Sequence, residues 1–135
     1  MNNASPPGNG SMTPAEFRVA RESLGLSGPW LAQHLDVSDR TIRHWESGRY
    51  PIPDGVRIEI ERIEDETTGR VDAAVTELTV VPDPVLVTYA SDTQHQQAHP
   101  DVTYPASWHR AMAARVSYRV PGLSIVYPEA EEGHQ

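Results

Sequence analysis

Apolar residues in the first half of the chain recur at helical spacing, whereas later they gather into short runs. Phe17, Ala20 and Leu24 fall at i, i+3 and i+7 behind Thr13-Pro14-Ala15-Glu16. That tetrapeptide is a capping box with proline at the first helical position. Gly25 supplies a left-handed stop, so the pattern predicts a first helix over about residues 14 to 24. Pro29 opens a second, short helix whose apolar face is Leu31, Ala32 and Leu35. Ser38 is a good cap for a third helix, Asp39 to Ser47, in which Ile42 and Trp45 point one way and Arg40, Arg43 and His44 point elsewhere. Gly48 closes it.

Tyr50-Pro51-Ile52-Pro53 reads as a rigid extended connection, and Asp54 as the cap of a long helix. Its stripe is Val56, Ile60, Ile63 and Thr67, continuing through Val71, Ala74 and Leu78. The outer face, Glu59, Glu61, Glu64, Asp65 and Glu66, is expected to be a solvated surface without chemistry. Past Pro82 and Pro84 the period changes. Val85 to Ala90 and Leu123 to Tyr127 read as strands, with helical segments near Asp92 to Ala98 and Ala106 to Tyr118 between them. The predicted class is α+β: an N-terminal all-α helix-turn-helix bundle followed by a small α+β dimerisation lobe. The expected boundaries are a disordered tail over 1–11, the bundle over 12–70, the lobe over 71–128 and an acidic tail over 129–135. Met12 stands directly before the first helix signal, which makes it, beside Met1, a candidate physiological start.

Composition narrows the function classes. The 135 residues carry a net charge of -8, and all eleven basic residues are arginine. Such a balance argues against a blanket positive field for nucleic acid and against a polybasic membrane anchor. The absence of cysteine excludes disulfides and thiolate metal sites and agrees with a reducing, cytoplasmic location. No apolar run suits a signal peptide or a membrane span. Nucleophile motifs, glycine-rich phosphate loops and spaced carboxylate pairs are lacking, so neither an enzyme nor a cofactor is expected. His95, His99 and His109 invite a metal reading, but the neighbouring Gln94, Gln96 and Gln97 suggest a polar surface helix, and no metal is expected.

The informative segment is Gly28 to Arg49, with helix-turn-helix spacing. Ala32 falls where two helices approach closely, and Leu31, Leu35, Val37, Ile42 and Trp45 occupy the packing positions. Arg40, at the second position of the third helix, is the first candidate for reading a base, with Arg43, His44 and Asp39 behind it. Asp39 alternatively serves the helix N-terminus. Ser38, Thr41, Arg49, Tyr50 and the Gly28 backbone are candidate phosphate contacts. From Ser38 to Tyr50 three arginines face only Asp39 and Glu46, so the edge is locally basic. Glu46 is expected to serve the fold as a helix-end anchor or arginine partner. Trp108, Met112, Val116 and Tyr118 read as core or as a dimer interface, because two short strands per chain make a marginal ribbon that a second copy would complete.

Through Trp45-Glu46-Ser47-Gly48-Arg49 the segment resembles the phage repressor and Cro class of helix-turn-helix proteins, over roughly residues 12 to 66. It departs from that class at Gly28, where a phosphate-contacting glutamine is usual, and at Asp36, where glycine is usual. A further resemblance, to the anti-CRISPR-associated autorepressors and YdiL-like proteins, adds Pro53-Asp54, Val56, Tyr89, Pro100-Asp101, Trp108 and Tyr127. It implies a homodimer that binds inverted-repeat double-stranded DNA at its own promoter, with RNA as a second ligand in some members. The competing reading is an antitoxin-like interaction module that holds a partner protein and autoregulates its operon.

Overall fold

The computed structural model describes residues 12–129, so the expected tail over 1–11 and most of the acidic tail lie outside the described residues. The fold is mixed α+β and mostly helical. Its elements are α1 (Pro14–Ser23), α2 (Gly28–Leu35), α3 (Asp39–Ser47), α4 (Asp54–Thr79), β1 (Val85–Val87), α5 (Asp92–Ala98), α6 (Ala106–Ser117) and β2 (Ser124–Val126). Two compact units divide between Thr67 and Thr68, within α4.

In the first unit, local side-chain chemistry sets the starts of α1, α2 and α3. Thr13 and Glu16 form both bonds of the capping box at 3.0 Å. Ser27 and Ser38 cap α2 and α3 by accepting from Trp30 and Thr41 amides, each at 3.1 Å. Gly48 ends α3 in the left-handed region at φ 84°. Asp36 takes φ 58° and ψ 45° at the end of α2, the conformation a tight helix-turn-helix corner requires and one that Asp visits at modest cost. Asp54 is the first residue of α4 and not its cap; the Val56 and Arg57 amides donate to the Pro53 carbonyl.

The core of this unit is Phe17, Leu24, Leu26, Leu31, Ala32, Ile42, Trp45, Ile60 and Ile63, all nearly inaccessible. Phe17 meets Trp45 edge to face at 5.8 Å. The acidic face of α4 is more engaged than a solvated surface. Glu59 accepts from His34 of α2 at 2.7 Å and from two nitrogens of Arg62 at 2.9 and 2.7 Å. The Arg62 bonds, helped by His34 and opposed by partial burial, hold the Glu59 carboxyl at about 2. Arg57 likewise binds Glu61, and Arg62 reaches Glu66.

In the second unit β1 and β2 pair with each other in parallel, Val85 opposite Ser124, Leu86 opposite Ile125 and Val87 opposite Val126. A parallel pair needs a long crossover, which α5 and α6 provide. The strands therefore find partners within one chain, and they are shorter than the runs 85–90 and 123–127. Trp108, Val116, Ala113, Val120 and Tyr104 form the core, and Met112 is 8% exposed. Of the four residues with an expected interface role, three are thus packed inside the chain, and Tyr118 at 86% exposure is the one with an open face. Pro105 precedes α6 and offers no side-chain cap, so Asp92 at the start of α5 accepts from the Ala106 amide at 2.8 Å.

The α5 region is no polar surface helix at His95, which is 1% exposed. His95, His99 and His109 surround Tyr89 with ring centroids 5.4, 5.5 and 5.0 Å away. Tyr89 Oη lies 3.1 Å from His99 Nε2, and Thr88 Oγ1 2.7 Å from His109 Nδ1. Among the described residues no group of three or more such side chains is arranged to hold a metal ion.

Two predictions follow from this packing. Ala32 is 2% exposed, so Ala32→Leu forces three carbons into a filled helix junction, and the expected loss is about 1 to 3 kcal/mol. Denaturant titration measures it, and an unchanged midpoint would place the close approach elsewhere. Burial, followed by His95, His99 and Arg70, lowers His109 from 6.5 to about 4. Between those values the unfolded chain binds a proton that the folded chain does not, so stability falls as pH drops from 6.5 toward 4, by up to about 3 kcal/mol, and is unaffected by this group above 6.5. Midpoints recorded across that window should fall more steeply for the wild type than for His109→Gln; equal slopes would contradict a neutral buried ring.

Candidate nucleic-acid interface

The nine residues of α3 divide cleanly by side. Ile42 and Trp45 are buried against α1 and α2, whereas Asp39, Arg40, Arg43 and Arg49 are exposed and Thr41 and His44 half-buried. A helix this short is marginal alone, so its position depends on what grips the inner face.

That grip is apolar and ionic. Arg21 of α1 donates from Nε and Nη2 to the two carboxylate oxygens of Glu46 at 2.6 and 3.2 Å, and from Nη1 to the Leu26 carbonyl at 2.9 Å. Both side chains are 13% exposed, which makes the bidentate pair geometrically demanding. Glu46 therefore has the arginine partner its position suggested. Arg21 itself carries no sequence signal beyond standing in the last turn of an amphipathic helix.

The pair also changes the field around α3. Arg18, Arg21, Arg57, Arg62 and Arg119 all sit in ion pairs with carboxylates. Among the described residues no carboxylate forms an ion pair with Arg40, Arg43 or Arg49. Since Arg21 neutralises Glu46, Asp39 is the remaining acidic group of α3. It is the first residue of the helix, where a carboxylate complements the dipole.

The structure brings three candidate residues together at the far end of α3. His44 meets the Tyr50 ring edge to face at 5.1 Å, and the Arg49 guanidinium lies 5.9 Å from the centre of that ring. The Arg49 and Tyr50 amides return to the His44 carbonyl at 2.9 and 3.4 Å. Burial first, then Arg49, Arg40 and Arg43, lowers the His44 pKa below its ordinary value. At neutral pH it is therefore an uncharged donor and acceptor, suited to a base edge or a hydroxyl more than to a phosphate. Ser38 Oγ is occupied in capping and lies 3.0 Å from Thr41 Oγ1, so these two form one hydroxyl pair at the helix start.

Gly28 is the first residue of α2, and a Cβ there would sit 3.8 Å from Ile42 Cγ2, an ordinary contact. Beside it a cleft of about 200 Å3 is bordered by Arg21, Pro29, Asp39, Ile42, Arg43 and Glu46, which leaves the Gly28 amide and the Arg43 guanidinium as its donors outside the Arg21–Glu46 pair.

Removing one partner of the clamp should leave the other charge poorly solvated. Glu46→Ala and Arg21→Ala are each expected to cost about 2 to 4 kcal/mol, and the double variant less than their sum. A double-mutant cycle by denaturant titration measures the coupling; additive losses would show that the pair contributes nothing as a pair.

No curated protein matches the chain. Over residues 15–65, which hold nearly all of α1, all of α2 and α3 and the first part of α4, the chain is similar to a family described as a helix-turn-helix domain, and this likeness supports DNA as a partner.

Proposed function

We propose that the chain is a sequence-specific DNA-binding transcriptional regulator, a dimeric autorepressor that sets α3 in the major groove of each half of an inverted repeat. The observation that carries this reading is the state of the arginines. Among the described residues, three guanidiniums on and just after one short helix lack carboxylate partners, while five others are paired. Unpaired cations on the outer face of the second helix of a helix-turn-helix are what base and phosphate contact requires.

Arg40, fully forward at the second position of α3, makes the bidentate contact to guanine O6 and N7. Arg43 and the neutral His44, one turn on, meet bases nearer the groove's edge. Ser38, Thr41, Arg49, Tyr50 and the Gly28 amide hold phosphates and set register. Asp39 accepts from a cytosine amine only where the operator places one there; its first service is to the helix terminus.

The homodimer reading rests on the second unit. By their register Val85, Val87 and Val126 share one face of the two-stranded sheet, and they are 52%, 39% and 42% exposed, with Tyr118 and Tyr127 exposed as well. This apolar face is better explained by a second copy than by water. Here the surface comes from the strands and Tyr118, while Trp108, Met112 and Val116 are packed inside the chain.

Two tests follow. In binding-site selection Arg40→Ala should lose about 1 to 3 kcal/mol per half-site and relax preference at one symmetric base position, whereas Arg49→Ala should weaken all sequences alike and reduce the salt slope by about one. An Arg40 variant that keeps every preference would move base reading to Arg43 and His44. In light scattering the wild type should have twice the chain mass and Val87→Glu the mass of one chain. A wild-type monomer at micromolar concentration would remove the dimer, and a stoichiometric protein copurifying from native lysate would favour the interaction module.

A further inference from the structure

The second unit contains a cavity of about 370 Å3 that the DNA-reading surface does not use. One wall is the face of α4 that carries Arg70, Ala73, Ala74 and Glu77, and the opposite wall is built from His95, His99, Trp108 and His109. The volume lies at the small end of the roughly 300 to 1,000 Å3 range of ligand pockets.

Its chemistry is selective. His95 is 1% exposed, and its Nε2 is buried without a hydrogen-bond partner. The other two rings are committed, His99 to Tyr89 and His109 to Thr88. A buried polar atom left unmatched costs about 1 to 3 kcal/mol, and a bound molecule with a complementary group recovers that loss. Trp108 and the imidazoles supply flat faces, Ala73 and Ala74 leave room opposite them, and Met112 adapts to the outline. Arg70 stands 5.7 Å from the centre of the Trp108 ring, and Glu77 lies two helical turns further along α4. The remaining lining is apolar, aromatic or imidazole, so a charged group seated against it finds little to offset its desolvation.

We propose that this cavity binds a small, uncharged, planar aromatic or heteroaromatic molecule whose polar ring edge meets His95 Nε2. The site lies wholly within the second unit, and its occupation is tested without DNA, so it stands or falls separately from the regulatory reading.

Three probes of similar ring outline discriminate the chemistry: benzimidazole at pH 8, where it is neutral, indene, which lacks the polar edge, and benzoate, which is charged. Titrated into the full chain by calorimetry and followed by ligand-observed NMR, benzimidazole should bind, indene at least about tenfold more weakly, and benzoate not measurably. Ala73→Leu adds bulk at an exposed position on the cavity wall and should abolish benzimidazole binding at an unchanged melting temperature. His95→Phe should erase the preference for benzimidazole over indene. The proposal is overturned by absence of benzimidazole binding at millimolar concentration, by equal binding of benzoate, or by undiminished binding in a folded Ala73→Leu chain.

Discussion

The exposed basic face of the first unit depends on a nine-residue helix that cannot hold its own position, and the Arg21–Glu46 pair is what fixes it. Apolar burial of Ile42 and Trp45 is strong but non-directional; two such side chains permit rolling about the helix axis. The guanidinium removes that freedom, because its planar donors reach Glu46 twice and the Leu26 carbonyl once. One side chain thereby joins α1, the connection to α2, and α3. The contribution to net stability of a pair so nearly buried is modest against an apolar substitute, since desolvation offsets attraction. Its larger effect is orientation: with the roll of α3 fixed, Arg40 and Arg43 face the same side.

The same pair explains how an acidic chain presents a basic edge. A net charge of -8 repels DNA at long range. Intramolecular pairing on α1 and α4 occupies arginines beside the carboxylates that surround them, and leaves Arg40, Arg43 and Arg49 uncommitted. Attraction therefore appears only at contact range and in one orientation. A local excess of positive charge on an acidic chain favours close, oriented approach of a polyanion over loose association along it.

The first unit was legible in sequence because its information is local. A cap, a capping-box glutamate and a left-handed stop each act within four residues, so Thr13, Ser38 and Gly48 announce their elements without knowledge of the rest. The helical position of Asp39, Arg40, Arg43 and His44 is legible for the same reason, since it follows from the Ser38 cap. What stayed hidden is long-range. Asp92 capping α6 in place of Pro105, Glu59 tying α4 to His34, and Arg21 reaching Glu46 all join residues at least fourteen apart with no spacing rule. Asp54 shows the reverse failure, a good capping residue whose place is taken by the proline before it.

The second unit was misread where polarity stood in for burial. Gln94, Gln96 and Gln97 are exposed as their type suggests, but His95 between them turns inward, because on so short a helix a single position decides which residue meets α6. An imidazole can take that place since it is nearly apolar when neutral, and the low His109 value shows that this interior favours the neutral form. The strand register has a different origin: short apolar runs fix that strands exist but not how each will pair. Once α5 and α6 pack as a crossover, the parallel pairing of β1 with β2 follows, and it leaves Val85, Val87 and Val126 together on a half-exposed apolar face. That face sets the two surfaces of the chain apart: charge without partners on α3, and apolar area without cover on the sheet.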